Sequence, residues 1–397
     1  MKKKIIIIIS IIIGIILLTI LGINIYNKWR IANAKILVEL EDNLQIEVFQ
    51  DAKISDFIKS INGKIIDDAI INTTKTGTKA INFNYINDEK IEVSYSFEIE
   101  VVDLTPPMIF SSSSLSVSKG YSGNLEKELF CGDNYDDKPI CKITGEYDSN
   151  TPGTYPLIFT GTDSSENVSQ TNFNLIVKQP TPSNPTPKTT TLFTDVVAKH
   201  KTENTKIGLD VSKWQGDINF QKVRDAGVEF VFIRIGTQKG IKGEYVIDPK
   251  FEQNIKGFQS VGIPVGVYFY TYASSLKEAE QDAKWVIKQL KPYKIELPVV
   301  YDWENWSFYQ EFNKSFYNLT QMANKYMSTL EKAGYKAMLY SSKNYLEKVW
   351  LPTKYPVWLA HYTEQTTYEG DYYVWQLCSD GRVDGIYGDV DINVMYN

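Results

Sequence analysis

The sequence is poor in the residues that usually bind transition metals. Among 397 residues there are only two histidines, His200 and His361, and three cysteines, so a zinc site built from His and Cys ligands is not expected. The formal net charge is −6, which argues against a nucleic-acid-binding protein, since such proteins show basic clustering. We therefore predict no metal, no cofactor and no nucleic-acid partner.

Aromatic residues, in contrast, are abundant. They make up 13% of the chain, with 26 Tyr and 8 Trp, and supply flat faces of the kind used by sugar-binding grooves, although cores and protein interfaces use them too. The length fits two or three globular domains. Composition alone therefore permits a carbohydrate-active protein without requiring one.

The N-terminus carries an almost uninterrupted apolar run from Ile5 to Ile25, preceded by Met1–Lys4. As a helix it would reach about 30 Å, close to the thickness of a bilayer core. The lysines should stay in the cytoplasm, which places the rest of the chain outside. A cleaved signal peptide is the alternative, because Ala32-Asn33-Ala34 has the small-x-small form. Since the run is long and Trp29 and Arg30 intervene, we favour an uncleaved anchor.

If the chain is exported, its three cysteines lie in an environment where disulfides can form. Cys131 and Cys141 lie ten positions apart in a turn-rich segment, so a local disulfide is one interpretation, although spacing alone does not establish the geometry. Cys378 stands in a hydrophobic stretch and is interpreted as a buried free thiol. The acidic cluster Asp133, Asp136 and Asp137 is interpreted as a solvated turn, because a full calcium-ligand spacing is missing.

Residues from about Lys35 to Val177 show short alternating strands separated by Gly, Asn and Asp turns. The pattern recurs with an offset of 76 positions, from Gly77 to Gly153 and from Phe97 to Phe173, which predicts two copies of one β unit. We expect two small sandwiches, and the second resembles bacterial surface immunoglobulin-like modules. A Pro- and Thr-rich linker follows, whose prolines favour an extended chain that holds its neighbours apart.

From about Thr205 the chain alternates apolar strands with amphipathic helices, which predicts a parallel (β/α) barrel with its site at the C-terminal ends of the strands. The expected strands are Ile207–Asp210, Phe230–Ile235, Val265–Tyr270, Leu297–Tyr301, Lys336–Tyr340, Val357–Ala360 and Tyr373–Leu377. The expected helices begin at Asp217 or cover Pro249–Phe258, Leu276–Leu290 and Phe312–Ala333. The predicted organisation is thus an anchor (1–30), two β modules (35–104 and 105–178), a linker (179–204) and a barrel domain (205–397).

Asp302-Trp303-Glu304 follows a buried strand in this domain. Residues two apart on a strand share a face, so Asp302 and Glu304 would lie about 6 to 7 Å apart at their Cα atoms. Two carboxyl groups so placed do not both ionise readily, and one can act as an acid near neutral pH while the other stays anionic. Such a pair suits hydrolysis of a glycosidic bond. We expect Glu304, near Trp303 and Trp306, to be the protonated partner.

The segment from about Lys206 to Asn397 resembles the glycoside hydrolase family 25 lysozymes, which are N-acetylmuramidases. The resemblance rests on motifs that occur in order along half of the chain. They are Gly208–Gly216, Phe232-Ile233-Arg234, Gly266-Val267-Tyr268, Tyr301–Glu304, Trp358–Tyr362, Trp375-Gln376 and Gly388–Asn393. It implies a modified, TIM-like eight-stranded barrel, free of metal, that cleaves the β-1,4 bond between N-acetylmuramic acid and N-acetylglucosamine.

The resemblance also implies roles for individual residues. Glu304 aligns with the general acid/base, and Asp302 with the carboxylate that attacks directly or orients the substrate's own N-acetyl group. Asp210 and Asp391 align with acidic residues of the pocket floor. The residues that align with the sugar-contacting wall or its surroundings are Tyr268, Tyr270, Trp375, His361 and Tyr362. Many members carry His where this chain has Phe269.

Three functions remain open from the sequence. The first is a membrane-anchored bacterial muramidase, acting outside the cell on peptidoglycan glycan strands by retaining carboxylate catalysis. The second is a non-catalytic barrel that binds glycan strands, with the β modules as adhesins. The third is a component of a cell-envelope assembly with protein partners in the envelope. Asp302, Glu304, Asp210 and Asp391 favour the first, because a binding protein has no need of all four.

Overall fold

The structure is a computed structural model that describes residues 2–110, 113–179, 190–304 and 313–396. The chain divides into two compact units, Met1–Leu104 and Thr105–Asn397. The division coincides with the predicted boundary between the two β modules. Trp306, part of the predicted surroundings of Glu304, and residues 180–189 of the predicted linker lie outside the described residues.

The first unit begins with helix α1 (Lys2–Ala32). Its segment Ile11–Ala32 is long and apolar enough to cross a membrane and is exposed throughout, a finding that fits an anchor or a signal sequence. Six strands follow, namely β1 (Val38–Leu40), β2 (Gln45–Glu47), β3 (Ile58–Ile61), β4 (Gly63–Ile65), β5 (Gly77–Asn87) and β6 (Glu92–Val102). Strands β2, β6, β5 and β4 form one sheet in that order, and β1 pairs with β3.

The second unit starts with a β module of the same arrangement. Its strands are β7 (Met108–Phe110), β8 (Ser114–Ser118), β9 (Phe130–Gly132), β10 (Ile140–Thr144), β11 (Gly153–Thr162) and β12 (Val168–Lys178). Strands β10, β11, β12 and β8 form a sheet in that order. Gly153 lies opposite Val177 as Gly77 lies opposite Val101, so the hairpin register recurs with the offset seen in the sequence.

The rest of the unit is built around a closed eight-stranded sheet. Its strands, with two additions at the rim, are β13 (Thr191–Leu192), β14 (Thr205–Val211), β15 (Phe230–Gln238), β16 (Tyr245–Ile247), β17 (Val265–Tyr270), β18 (Val299–Asp302), β19 (Ala337–Ser342), β20 (Val357–Ala360), β21 (Val374–Arg382) and β22 (Val390–Tyr396). Strands β14, β15, β17, β18, β19, β20 and β21 are neighbours in parallel. Strand β22 closes the ring because it pairs antiparallel with both β14 and β21.

Helices cover the outside of this sheet and share its hydrophobic core. They are α2 (Phe193–His200), α3 (Phe220–Asp225), α4 (Phe251–Ser260), α5 (Leu276–Leu290), α6 (Phe316–Lys332) and α7 (Lys343–Lys348). Serine caps begin several of them, and in α5 the Ser275 side chain accepts a hydrogen bond from the backbone N–H of Glu278, which satisfies one of the unpaired N–H groups of the first turn. Apolar residues at helical spacing, such as Ala279, Ala283 and Val286, then face the sheet.

Two features differ from the arrangement expected of a linker that separates domains. Residues 191–200, placed in the linker by composition, form β13 and α2, because Phe193 and Val196 have apolar side chains that bury in the core of the closed-sheet domain. The second β module also packs directly on this domain, through Phe130. Cys131 and Cys141 of that module form a disulfide, whereas Cys378 is buried and free.

Candidate active site

Asp302 and Glu304 lie where strand β18 ends. Asp302 is the last residue of β18, in register with Tyr270 on β17 and Tyr340 on β19, and its carbonyl accepts a hydrogen bond from the N–H of Thr271. Parallel strands end at the same rim of a closed sheet, so side chains from several strands meet there. The two carboxyl groups line one cavity at this rim.

Burial raises the pKa of both groups. Asp302 is 3% exposed, and burial, the neighbouring charge of Glu304 and a hydrogen bond with Glu304 raise its pKa well above the ordinary value. The pKa of Glu304 is also raised by burial, but the hydrogen bond with Asp302 lowers it in part. The pKa of Asp302 is thus raised the more strongly, because its hydrogen bond with Glu304 acts in the same direction as burial. That Glu304 is the protonated partner stays a prediction.

Asp210 and Asp391 form the acidic floor of the same cavity. They are cross-strand partners on β14 and β22. Asp210 Oδ2 accepts hydrogen bonds from Gln376 Nε2 at 2.9 Å and from Asn393 Nδ2 at 2.8 Å, and burial raises its pKa to about 6. Burial and the charge of Asp210 raise the pKa of Asp391 to about 9. Asp391 is thus neutral at pH 7 and donates to Asp210.

Aromatic side chains form the walls of the cavity, whose volume is about 160 Å³. The residues that line it are Asp210, Tyr268, Asp302, Glu304, Tyr340, Trp358, Tyr362, Gln376 and Asp391. Tyr340 and Trp358 line the cavity but are not among the site residues predicted from the sequence. The signal for Tyr340 was its position at the end of an expected strand.

Gln376 and Asn393 connect the aromatic walls to Asp210. Gln376 Oε1 accepts hydrogen bonds from Tyr340 Oη at 2.9 Å and Tyr362 Oη at 3.1 Å. Asn393 Oδ1 accepts from Trp358 Nε1 at 2.8 Å. In each amide the oxygen accepts hydrogen bonds from aromatic side chains of the wall. The NH₂ group is therefore oriented to donate to the carboxylate of Asp210. Both residues belong to motifs recognised in the sequence, but their role in orienting hydrogen bonds to Asp210 was not predicted.

Three predicted wall residues do not line the cavity. Trp375 is 2% exposed in the core, where its Nε1 donates to the carbonyl of His361 at 2.9 Å. The ring of His361 contacts Thr366 through Nδ1 at 2.9 Å. Tyr270 packs against Tyr272, with ring centroids 5.2 Å apart, and its pKa is raised by burial first and then by Tyr272 and the charges of Asp302 and Glu304. Of the three, Tyr270 is thus close to the carboxyl pair.

Arg234 lies beside the cavity and forms an ion pair with Asp248. Its Nε and Nη2 donate to Asp248 Oδ2 at 2.8 and 2.7 Å, and the side chain of Asp248 is fully buried. The positive charge also opposes the rise in the pKa of Asp302. Arg234 therefore neutralises a buried carboxylate, that of Asp248.

Comparison with known proteins identifies the family of this domain. The model of Glycosyl hydrolases family 25 matches residues 209–386. The "Uncharacterized protein YegX" of Escherichia coli strain K12 is 30% identical over 196 residues, which is 47% of this chain and 68% of that protein. The chain is a glycoside hydrolase. It belongs to family 25 of the glycosyl hydrolases, which confirms the resemblance seen in the sequence.

Other relatives are longer than the matched segment. "Lysozyme M1" of Streptomyces globisporus is 28% identical over 204 residues, covering 47% of this chain and 66% of that protein. The solved modular autolysin LytC of Streptococcus pneumoniae is 34% identical, with 49% of this chain and 48% of that chain covered and a TM-score of 0.44. The chain thus spans about half the length of that autolysin. The β module at 105–178 lies outside the family match.

Proposed function

We propose that the chain is a membrane-anchored muramidase that acts outside the bacterial cell. It cleaves the β-1,4 bond between N-acetylmuramic acid and N-acetylglucosamine in peptidoglycan, with retention of configuration. The observation that carries the proposal is the pair Asp302 and Glu304, which line one cavity where a strand ends and both have raised pKa values. Membership of family 25 supports it, as do relatives with the names "Lysozyme M1" and "Autolytic lysozyme".

In the proposed mechanism, Glu304 protonates the leaving glycosidic oxygen. The proton reaches it from the pair that Asp302 and Glu304 share, and the charge left on Asp302 then stabilises the oxocarbenium-like transition state. Asp302 Oδ1 is buried and has no hydrogen-bond partner among the described residues, so it is available to the substrate. It either attacks the anomeric carbon or holds the substrate's N-acetyl group for attack, and both routes retain configuration.

The remaining site residues bind and position the sugar. Tyr268, Tyr340, Trp358 and Tyr362 offer the aromatic walls, and Asp210 with protonated Asp391 offers an acceptor and a donor for hydroxyl or amide groups. Tyr270, Trp375 and His361 act from behind or beside this wall. No part of the proposed mechanism calls on a cofactor.

The rest of the chain would place this site in the cell wall. We propose that α1 anchors the protein in the membrane, that the two β modules are immunoglobulin-like spacers, and that the closed sheet is a modified TIM-like (β/α) barrel. The modules also offer surfaces for protein partners in the envelope. Their length would extend the reach of the enzyme from the membrane into the peptidoglycan.

The test compares the full chain in detergent with its Glu304→Gln variant on purified peptidoglycan. Reduction of the products with borohydride, followed by mass spectrometry, identifies the new glycan ends. We expect muramitol ends from the wild type and a rate lower by about 10² to 10⁴ for the variant, the usual contribution of a general acid. Glu369→Gln, at an exposed position, is the matched control and should retain full activity.

Proton NMR of the first product formed tests retention, since a retaining enzyme releases the β anomer. The competing function, a glycan-binding protein without catalysis, predicts a different result. The wild type and Glu304→Gln would then both sediment with peptidoglycan, and neither would produce new ends. That result would contradict the proposed enzyme.

A further inference from the structure

Residues 130–141 of the second β module, which we call the docking loop, contact the closed-sheet domain, and Met108 of the module also packs against the core of that domain. The disulfide between Cys131 and Cys141 closes it. Both parts belong to the same compact unit. The loop lies outside the segment that matches the family, residues 209–386.

Asp137 of the docking loop binds the start of helix α6. Its Oδ1 accepts a hydrogen bond from the backbone N–H of Ser315 at 2.7 Å and another from Asn318 Nδ2 at 2.6 Å. Ser315 is the N-terminal cap of the helix. A carboxylate at this end is favourable because the helix dipole is positive there.

Backbone groups of the same loop complete the cap. The N–H of Phe316 donates to the carbonyl of Asp133 at 2.8 Å, and the N–H of Tyr317 donates to the carbonyl of Asn134 at 3.2 Å. The first N–H groups of a helix have no partner within the helix. The module therefore supplies partners that α6 would otherwise find in water.

A series of aromatic contacts connects the docking loop to Trp303, the residue between Asp302 and Glu304. Phe130 packs against Phe316 and Tyr345, with ring centroids 6.2 and 6.4 Å apart. Tyr345 packs in turn against Trp303 at 6.0 Å. Trp303 is 1% exposed and stands between Asp302 and Glu304 in the sequence. The chain is thus fixed at Trp303, before Glu304, and again at Ser315, after it.

We propose that the docking loop is a positioning element of the active site, in which Phe130 and Asp137 hold Trp303 and the start of α6 so that Glu304 faces the scissile bond. The proposal rests on the proposed function for its effect on rate. Displacement of a catalytic group by about 1 Å can cost up to about 10²-fold in rate. Substrate affinity, in contrast, depends on cavity walls that the loop does not touch.

The experiment uses the full chain in detergent and the variants Asp137→Ala and Phe130→Ala. We expect kcat to fall about tenfold, with KM within about twofold of the wild type. Asp148→Ala is the matched control, because Asp148 also accepts one backbone N–H and one side-chain donor, from Asn150 and Thr151 of its own module. It should keep the wild-type kcat. Asp137→Asn keeps a side-chain carbonyl for the N–H of Ser315 and should restore most of the rate.

Hydrogen exchange provides a readout that does not depend on activity. In Asp137→Ala and Phe130→Ala, the amides at 303–304 and 315–318 should exchange faster than in the wild type, and in Asp148→Ala they should not. Wild-type kcat and exchange in Asp137→Ala would overturn the proposal, as would a lower kcat with unchanged exchange at 303–304. If the wild type makes no muramitol ends, the proposed function fails, and the exchange data still decide whether the loop positions Trp303.

Discussion

Asp210 and Asp391 lie directly opposite each other on the antiparallel strands β14 and β22, so a buried and a partly buried carboxyl group share one position of the sheet. One proton between them removes the repulsion, and it resides on Asp391, whose pKa rises to about 9 while that of Asp210 rises to about 6. The closing strand of the sheet therefore carries a group that must stay protonated for the fold to be most stable.

The first prediction concerns stability and pH. The ordinary pKa of Asp391 is 3.8 and its folded value is about 9, so between these values the folded state holds a proton that the unfolded state has lost. Stability is greatest below the unfolded value and falls as pH rises towards 9, with a slope of up to about 1.4 kcal/mol per pH unit from this group. Asp391→Asn should flatten that slope. Urea unfolding from pH 4 to pH 9 measures it.

Asp282→Asn is the matched control for this experiment. Asp282 is fully buried, but it accepts hydrogen bonds from Thr271 and Tyr245, and its pKa rises only to about 6. Replacing Asp282 should make the free energy of unfolding depend less on pH below pH 6. Between pH 7 and 9 the dependence should remain that of the wild type. Equal slopes above pH 7 in wild type and Asp391→Asn would contradict the assignment of the proton.

The second prediction concerns the rate. We expect kcat/KM to be highest where the pair Asp302 and Glu304 holds one proton, and to fall as pH rises through the upper pKa of the pair. The charge of Asp210 helps to raise the pKa of Asp302. Asp210→Asn should therefore move the alkaline limb of the kcat/KM profile to lower pH.

An exposed carboxylate gives the comparison for that profile. Glu369→Gln removes one negative charge from the surface, where solvent screens it, and should leave both limbs in place. An alkaline limb that stays at the wild-type pH in Asp210→Asn would show that Asp210 does not act on the pair.

Much of the closed-sheet domain could be predicted from local pattern. Strand β17 (Val265–Tyr270), strand β20 (Val357–Ala360) and helix α5 (Leu276–Leu290) have the expected bounds, because each is a periodic segment between clear turn signals. The meeting of Asp210, Asp302 and Glu304 followed from their positions at strand ends, since such ends share one rim.

The parts that could not be predicted depend on distant contacts. Strand β22 closes the ring through pairs with β14 and β21, and its sequence alone does not show which strands it joins. The prolines that precede helix α2 predict a linker over its residues as well. The sequence predicts a solvated turn at Asp133 and Asp137, whereas both residues accept hydrogen bonds from the first N–H groups of α6. The raised pKa of Asp302 likewise depends on burial, which only the folded chain fixes.

The third prediction tests the ion pair of Arg234 and Asp248. Arg234→Met leaves the fully buried carboxylate of Asp248 without its cation, which typically costs about 3 to 5 kcal/mol. Arg382→Met is the control, because Arg382 and Asp389 are about one-third exposed, and such a pair contributes under about 1 kcal/mol. Chemical unfolding measures both. Adding Asp248→Asn to Arg234→Met should recover part of the loss, and similar losses in the two single variants would contradict the prediction.

The last prediction concerns the hydroxyl groups that orient Gln376. Its Oε1 accepts from Tyr340 and Tyr362, which leaves Nε2 to donate to Asp210. Either tyrosine alone can hold the amide, so Tyr340→Phe and Tyr362→Phe should each lower kcat by less than about threefold. The double variant leaves the amide of Gln376 without either hydroxyl donor. We expect a loss of about 1.4 kcal/mol in transition-state stabilisation, which corresponds to a fall of about tenfold in kcat.

Steady-state kinetics on soluble peptidoglycan fragments measures this difference, with Tyr387→Phe as control because Tyr387 is 98% exposed. The hydrogen bond from Gln376 lowers the pKa of Asp210. Its loss in the double variant should therefore raise the pKa of Asp210 above about 6, which carbon NMR of the carboxyl group can detect. An unchanged pKa together with a tenfold loss of rate would show that the two hydroxyl groups act on the substrate and not through Gln376.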